Sequence, residues 1–167
     1  RENLPAVMKL VADVFKNPIF PEKDLEELKA EYIANSEQQK SDPQALASMN
    51  FSKSMNQWPK GDPRYVPDFD EEIANYKAVK IEDVRAFYRD FYGANNATAS
   101  VVGDFDEKEL RAILDQEFGN WRSSKTFTRL ANPYKPNKVL NENIKTPDKA
   151  NAMFLAGMTM PLKDTDP

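Results

Sequence analysis

Apolar residues recur at helical spacing through most of the chain up to Phe118. Leu4, Val7, Met8, Val11, Val14 and Phe15 fall on one face of a helix over 4–15. Asn3 stands where an N-cap is wanted, and Pro5 fits a first turn, where a missing N–H costs nothing. NPIFP breaks that pattern. A second helix is expected over about 22–40, with Glu22 and Asp24 in its first turn and a thin stripe of Leu25, Leu28 and Tyr32. Asp42 caps a third helix, with Pro43 at its first position, running to about Trp58. WPKGDPRYVPDF, residues 58–69, holds three prolines and a glycine and reads as a loop or extended arm. A short helix over Asp70–Val79 precedes IEDVRAFYRDFY, where Ile81, Val84, Phe87, Tyr88 and Phe91 share one face and favour core packing. Gly93 is placed to close that helix as its C′ residue.

The period then changes. ATASVVG reads as a strand, and a helix over 107–118 carries Leu110, Ile113, Leu114 and Phe118. After Trp121 the chain turns polar and proline-interrupted, as a linker with one edge strand around Lys138–Ile144. ANAMFLAGMTM reads as a buried strand before PLKDTDP. Helices with a few strands imply an α+β fold, and so few strands imply a sheet incomplete at both ends of the chain.

Composition narrows the chemistry. The 167 residues contain no Cys and no His, which excludes disulfides, thiolate zinc, a Cys nucleophile, a Ser-His-Asp triad and His-ligated metal. Carboxylates, Lys, Ser, Thr and Tyr remain. Lys and Arg total 23 against 27 Asp and Glu, a net charge of −4, which argues against nucleic acid as a partner. A mean hydropathy of −0.72 describes a soluble protein, and no segment approaches a membrane span.

Several stretches invite a functional reading. In VVGDFDEKEL, Asp104 and Asp106 sit at a strand-to-helix joint. The stretch lacks the glycines and lysine of a P-loop, and Lys108 and Glu109 violate a calcium loop. Asp106 with Glu109 three residues on is instead an N-cap with an acidic partner. Arg85 and Arg89 interleave with the aromatics of FYRDFY, but one aromatic helical face favours packing over base stacking. Glu27 and Glu31 lie one helical turn apart and read as a solvated face with lysine partners. Asn50-Phe51-Ser52 and Asn96-Ala97-Thr98 match the glycosylation sequon, a motif short enough to arise by chance. GDPRY is the most unusual polar segment. Arg64 and Tyr65 are suited either to a proline-rigidified loop or to contact with a neighbouring domain or extended ligand.

In order, NPIFPEKDLEELKAE, QQKSDPQALA, WPKGDPRYVPDFDEEIANYKAVKIEDVRAFYRDFYGANNATASVVGDFDEKEL, FGNW and TPDKANAMFLAGM resemble the M16 family of zinc metallopeptidases (insulinase, pitrilysin, processing peptidase). The resemblance covers nearly the whole chain. It implies an antiparallel sheet backed by helices, and two halves closing around a peptide chamber. One half carries a His-x-x-Glu-His zinc motif and a later Glu ligand; the other lacks them and helps to bind substrate.

This chain resembles the non-catalytic half. Its second helix is similar to the one bearing the third zinc ligand, where a register anchored on SDP places Asn35; a slip of one turn would place Glu31 there. An amide is a poor substitute for carboxylate at zinc. The resemblance therefore assigns no catalytic, metal or cofactor-binding residue to this chain, and no cofactor. Zinc belongs to the catalytic half of the parent, in the same polypeptide or in a partner subunit. Residues 1–122 would form the C-terminal part of a non-catalytic domain, 123–148 a linker, and 149–167 the first strand of the next domain. The expected role is to complete the chamber for a peptide substrate and to brace the catalytic half. The alternative is a purely structural subunit of the same fold, like respiratory-complex core proteins. A bacterial periplasm is compatible with the resemblance, and the composition fixes no compartment.

Overall fold

Residues 2–162 are described in a computed structural model. Six α-helices form where the sequence places them: α1 (Leu4–Lys16), α2 (Glu22–Gln39), α3 (Pro43–Met55), α4 (Phe69–Ala78), α5 (Ile81–Phe91) and α6 (Glu107–Phe118). A 3-10 turn spans Ala94–Asn96. Asp42, Asp68 and Asp106 each cap the helix that follows, accepting the N–H three residues on. Each such cap is worth about 1 kcal/mol. Asn3 behaves otherwise. Its own backbone is helical and its side chain makes no cap bond, so only its carbonyl serves α1, accepting from Val7 N–H.

The expected α+β architecture with an antiparallel sheet is not what forms. Among the described residues there is no strand. Among the described residues, 97–102, 138–144 and 150–158 carry no ladder hydrogen bonds, and the only backbone bond there that reaches into them links Ala97 N–H to Ala94 of the preceding turn. A helix satisfies its amides within one segment, whereas a strand exists only beside another that shares its ladder. These segments have strand-like composition and no paired neighbour. Val102 and Val139 are fully exposed and Phe154 nearly so, which also corrects the expectation of a buried strand around ANAMFLAGM. The last residues of the expected 149–167 strand, 163–167, lie outside the described residues.

The chain divides into two compact units, with boundaries after Leu25, Val79 and Arg129. In the first unit, α1 packs on α6. Ala12 and Leu110 are buried, and Lys16 Nζ donates to the Glu117 carbonyl at 2.7 Å. Phe15 and Phe118 each place a ring near Trp121, at 6.4 and 6.2 Å between centroids. In NPIFP, Phe20 has φ 43°, a left-handed backbone unusual for an aromatic residue. Its ring meets Tyr88 edge-on, its carbonyl accepts from Arg85, and Tyr88 donates to the Phe15 carbonyl. The face expected to pack α5 into a core splits. Tyr88 is half-buried, while Phe87 and Phe91 meet at a tilt, 4.9 Å between ring centroids, and stay more than half exposed.

Gly93 does not adopt the left-handed C′ conformation; its φ of 170° is ordinary extended backbone. It is needed for close approach, because a Cβ there would lie 2.2 Å from Ser123 N and 2.7 Å from Arg122 C. Residues 90–95 thereby meet 121–125: Ala94 N–H donates to Trp121 O, Lys125 N–H to Asp90 O, and Ser123 N–H to Asn95 Oδ1.

In the second unit, α4 docks on α2. Phe69 and Ile73 are buried, Tyr32 stacks on Tyr76, and buried Ser36 donates to Glu72. Lys40 reaches both Glu37 and Asp70, and its pKa is raised chiefly by the hydrogen bond to Asp70. Lys29 donates to the Val79 carbonyl that ends α4.

Candidate functional site

The densest polar arrangement in the second unit is the loop from Trp58 to Phe69, the segment singled out by its prolines. Gly61 takes φ 92°, which a residue with a Cβ resists, and so turns the chain between Pro59 and Pro63. The turn brings Asp62 beside Arg64. Asp62 Oδ1 accepts from Arg64 Nε at 2.8 Å and from its backbone N–H at 2.9 Å, while Oδ2 accepts from Nη2 at 2.8 Å. This fork holds the Asp62 carboxyl down at about 2 and raises the Arg64 guanidinium further. The guanidinium carbon also lies 3.2 Å from the Trp58 ring centre, and Lys135 Nζ lies 3.4 Å from it. Arg64 Nη1 donates onward to the Ala131 carbonyl.

Tyr65 serves a different task. Its hydroxyl donates to Glu71 Oε2 at 2.6 Å, and Lys60 donates to Glu71 Oε1 at 2.7 Å. Glu71 also accepts the Asp68 N–H, completing a reciprocal cap with the Asp68 side chain at the start of α4. The hydrogen bonds from Lys60 and Tyr65 lower the Glu71 carboxyl to about 2, and the same carboxylate raises the pKa of Tyr65 and of Lys60. Arg64 and Tyr65 are thus adjacent in sequence and work on separate partners within this unit.

The other candidates are dispersed. Asn35, Glu31 and Glu27 are exposed along α2. Asp106 caps α6 through its bond from Glu109 N–H at 2.9 Å. Gly103 before it has φ 148°, so the VVGDFD joint is a glycine turn followed by a cap. Asn50 is committed inside α3, donating to the Leu46 carbonyl, whereas Asn96 is exposed in the 3-10 turn. Trp58, Asp62, Glu71 and Lys135 were not singled out by sequence. For Asp62 and Glu71 a signal existed, in acids two and six residues from Arg64 and Tyr65. For Lys135 there was none, since its ring partner is far away along the chain.

An open groove of about 860 Å³ lies over α3 in this unit, with Leu46, Phe51 and Met55 on one side and Val139, Leu140 and Phe154 on the other. The donors do not suit zinc: the chain has neither His nor Cys, and no three acidic residues among those described converge closely enough to hold a metal. None of the described helices is long and apolar enough to cross a membrane.

Residues 78–166, a little over half the chain, match the family described as the peptidase M16 inactive domain. The chain belongs to the M16 peptidase family, in its inactive domain. A search of the curated proteins found no match.

Proposed function

We propose that this chain serves as the non-catalytic part of a zinc-dependent M16 peptidase, completing the peptide chamber and bracing a catalytic half. The observation that carries this reading is the match of residues 78–166 to the inactive domain. The donor set supports it, since a chain without imidazole or thiolate leaves the metal and its chemistry to the other half. On this reading residues 1–122 close one domain, 123–148 connect, and 149–167 open the next. The partner is a motif-bearing M16 half, and the peptide meets this chain only in the assembled chamber.

Two measurements test the reading. After dialysis against zinc, the purified chain is expected to hold no stoichiometric metal, and a tightly bound equivalent would overturn its non-catalytic assignment. Mixed with a catalytic half bearing His-x-x-Glu-His, it is expected to form a complex and raise hydrolysis of a quenched fluorescent peptide. Complex formation without hydrolysis would favour the purely structural role instead.

A further inference from the structure

Residues 131–137 have no helix or ladder of their own, yet they are fastened one after another. Arg64 holds the Ala131 carbonyl, Thr159 Oγ1 the Lys135 carbonyl at 2.7 Å, and Gln57 the Pro136 carbonyl at 3.4 Å. Asn137 donates to the Ser54 carbonyl near the end of α3 at 2.8 Å and accepts from Thr159 N–H at 3.0 Å. Lys135 lies against the same indole as Arg64.

We propose that Asp62, Arg64 and Trp58 form a clasp that holds residues 131–137 as a docked strap and so sets one wall of the groove over α3. The chemistry explains the choice of residues. Two cations at one ring repel each other, and the Asp62 fork offsets one of those charges. Only a planar guanidinium can bond Asp62 twice, lie against an indole and still donate to a carbonyl; an ammonium cannot. Pro59 and Pro63 stiffen the clasp, and Pro133 and Pro136 stiffen the strap, so ordering each costs less chain entropy. Tyr134 in the strap and Leu130 just before it are at least half exposed, so the hold comes from these polar contacts more than from apolar burial. Losing the clasp should therefore free the strap locally and leave the helices intact.

The absence of cysteine makes the test clean. Spin labels at Ser48→Cys on α3 and Asn132→Cys on the strap, both exposed positions, report their separation by double electron–electron resonance. In the otherwise unaltered full chain a single narrow distance is expected. Arg64→Ala should replace it with a broad distribution while far-UV circular dichroism stays unchanged. Arg64→Lys, which keeps the charge and loses the fork, should do the same and decides the matter if Arg64→Ala unfolds. Tyr65→Phe should leave the narrow distance in place. A broad distribution before any change to Arg64, or a narrow one in Arg64→Lys, overturns the proposal.

Discussion

Residues 58–79 and residues 97–102 are both strongly patterned, and only the first finds partners for its pattern among the described residues. In 58–79, the polar groups of the loop find partners close by, Asp68 with Glu71, Tyr65 with Glu71 and Asp62 with Arg64, while Asp70 and Glu72 reach back to Lys40 and to Ser36 of α2. In 97–102, a β-branched run ends at Val102, fully exposed and without a ladder partner among the described residues. Short-range hydrogen bonds and the docking of α4 on α2 together hold the first. The second has a conformational preference that needs a neighbouring strand before it yields stability.

Between these extremes lies a place where backbone bonds join segments distant in sequence, residues 90–95 against 121–125. The largest effect is expected there. Gly93→Ala would drive a methyl group to 2.2 Å from Ser123 N, and main chain cannot swing aside as a flexible side chain can. Overpacking of this kind costs about 1–3 kcal/mol, read as a lower urea midpoint at unchanged slope. An unchanged midpoint would mean that this pairing contributes nothing.

The helices were legible because their signals are local. Asp42 and Asp106 announce caps, and the spacing of Leu110, Ile113 and Leu114 announces a face. Asn3 has the right chemistry for a cap but sits on helical backbone, a distinction that residue type does not carry. The sheet was misread for a deeper reason. Composition reports that residues 97–102 and 150–158 suit a strand, but not whether a ladder partner will be beside them. At the GDPRY loop, Arg64 and Tyr65 could be marked as unusual, and their roles could not be separated. Arg64 depends on Ala131 and Lys135, which arrive from a distant proline-rich segment with no periodicity to betray them. The inactive-domain assignment was legible as an ordered set of segments, and no single residue among them carries it.

A smaller effect separates the same regions by acid titration. Glu71 falls from its ordinary 4.5 to about 2, first because Lys60 and then because Tyr65 bond to it. Asp62 falls from 3.8 to about 2 through Arg64. A carboxylate depressed in the folded state contributes stability fully above its unfolded pKa and loses it as pH falls through the folded one. Stability should therefore decline between about pH 4.5 and pH 2, and Glu71→Gln should flatten that decline in urea titrations across the window. An equally steep acid limb in Glu71→Gln would show that this carboxylate is not coupled to folding. The extended segments should add little to this limb, because few acids lie in them.

The smallest effect is the sharpest test of the comparison. Val102→Ser, Val139→Ser and Phe154→Ser replace apolar side chains that the fold leaves in water. Substitutions at such positions change stability by no more than about 0.5 kcal/mol. Truncating a buried phenylalanine would instead cost about 3–5 kcal/mol, because its transfer from water and its cavity both count. The two outcomes differ by several times the error of a urea titration. A loss near the larger figure for Phe154→Ser would mean that residues 150–158 are covered in solution, and the contrast with residues 58–79 would fall. A loss near zero would leave the extended segments as strand-forming sequence waiting on a ladder, while stability stays with the caps and packed helices.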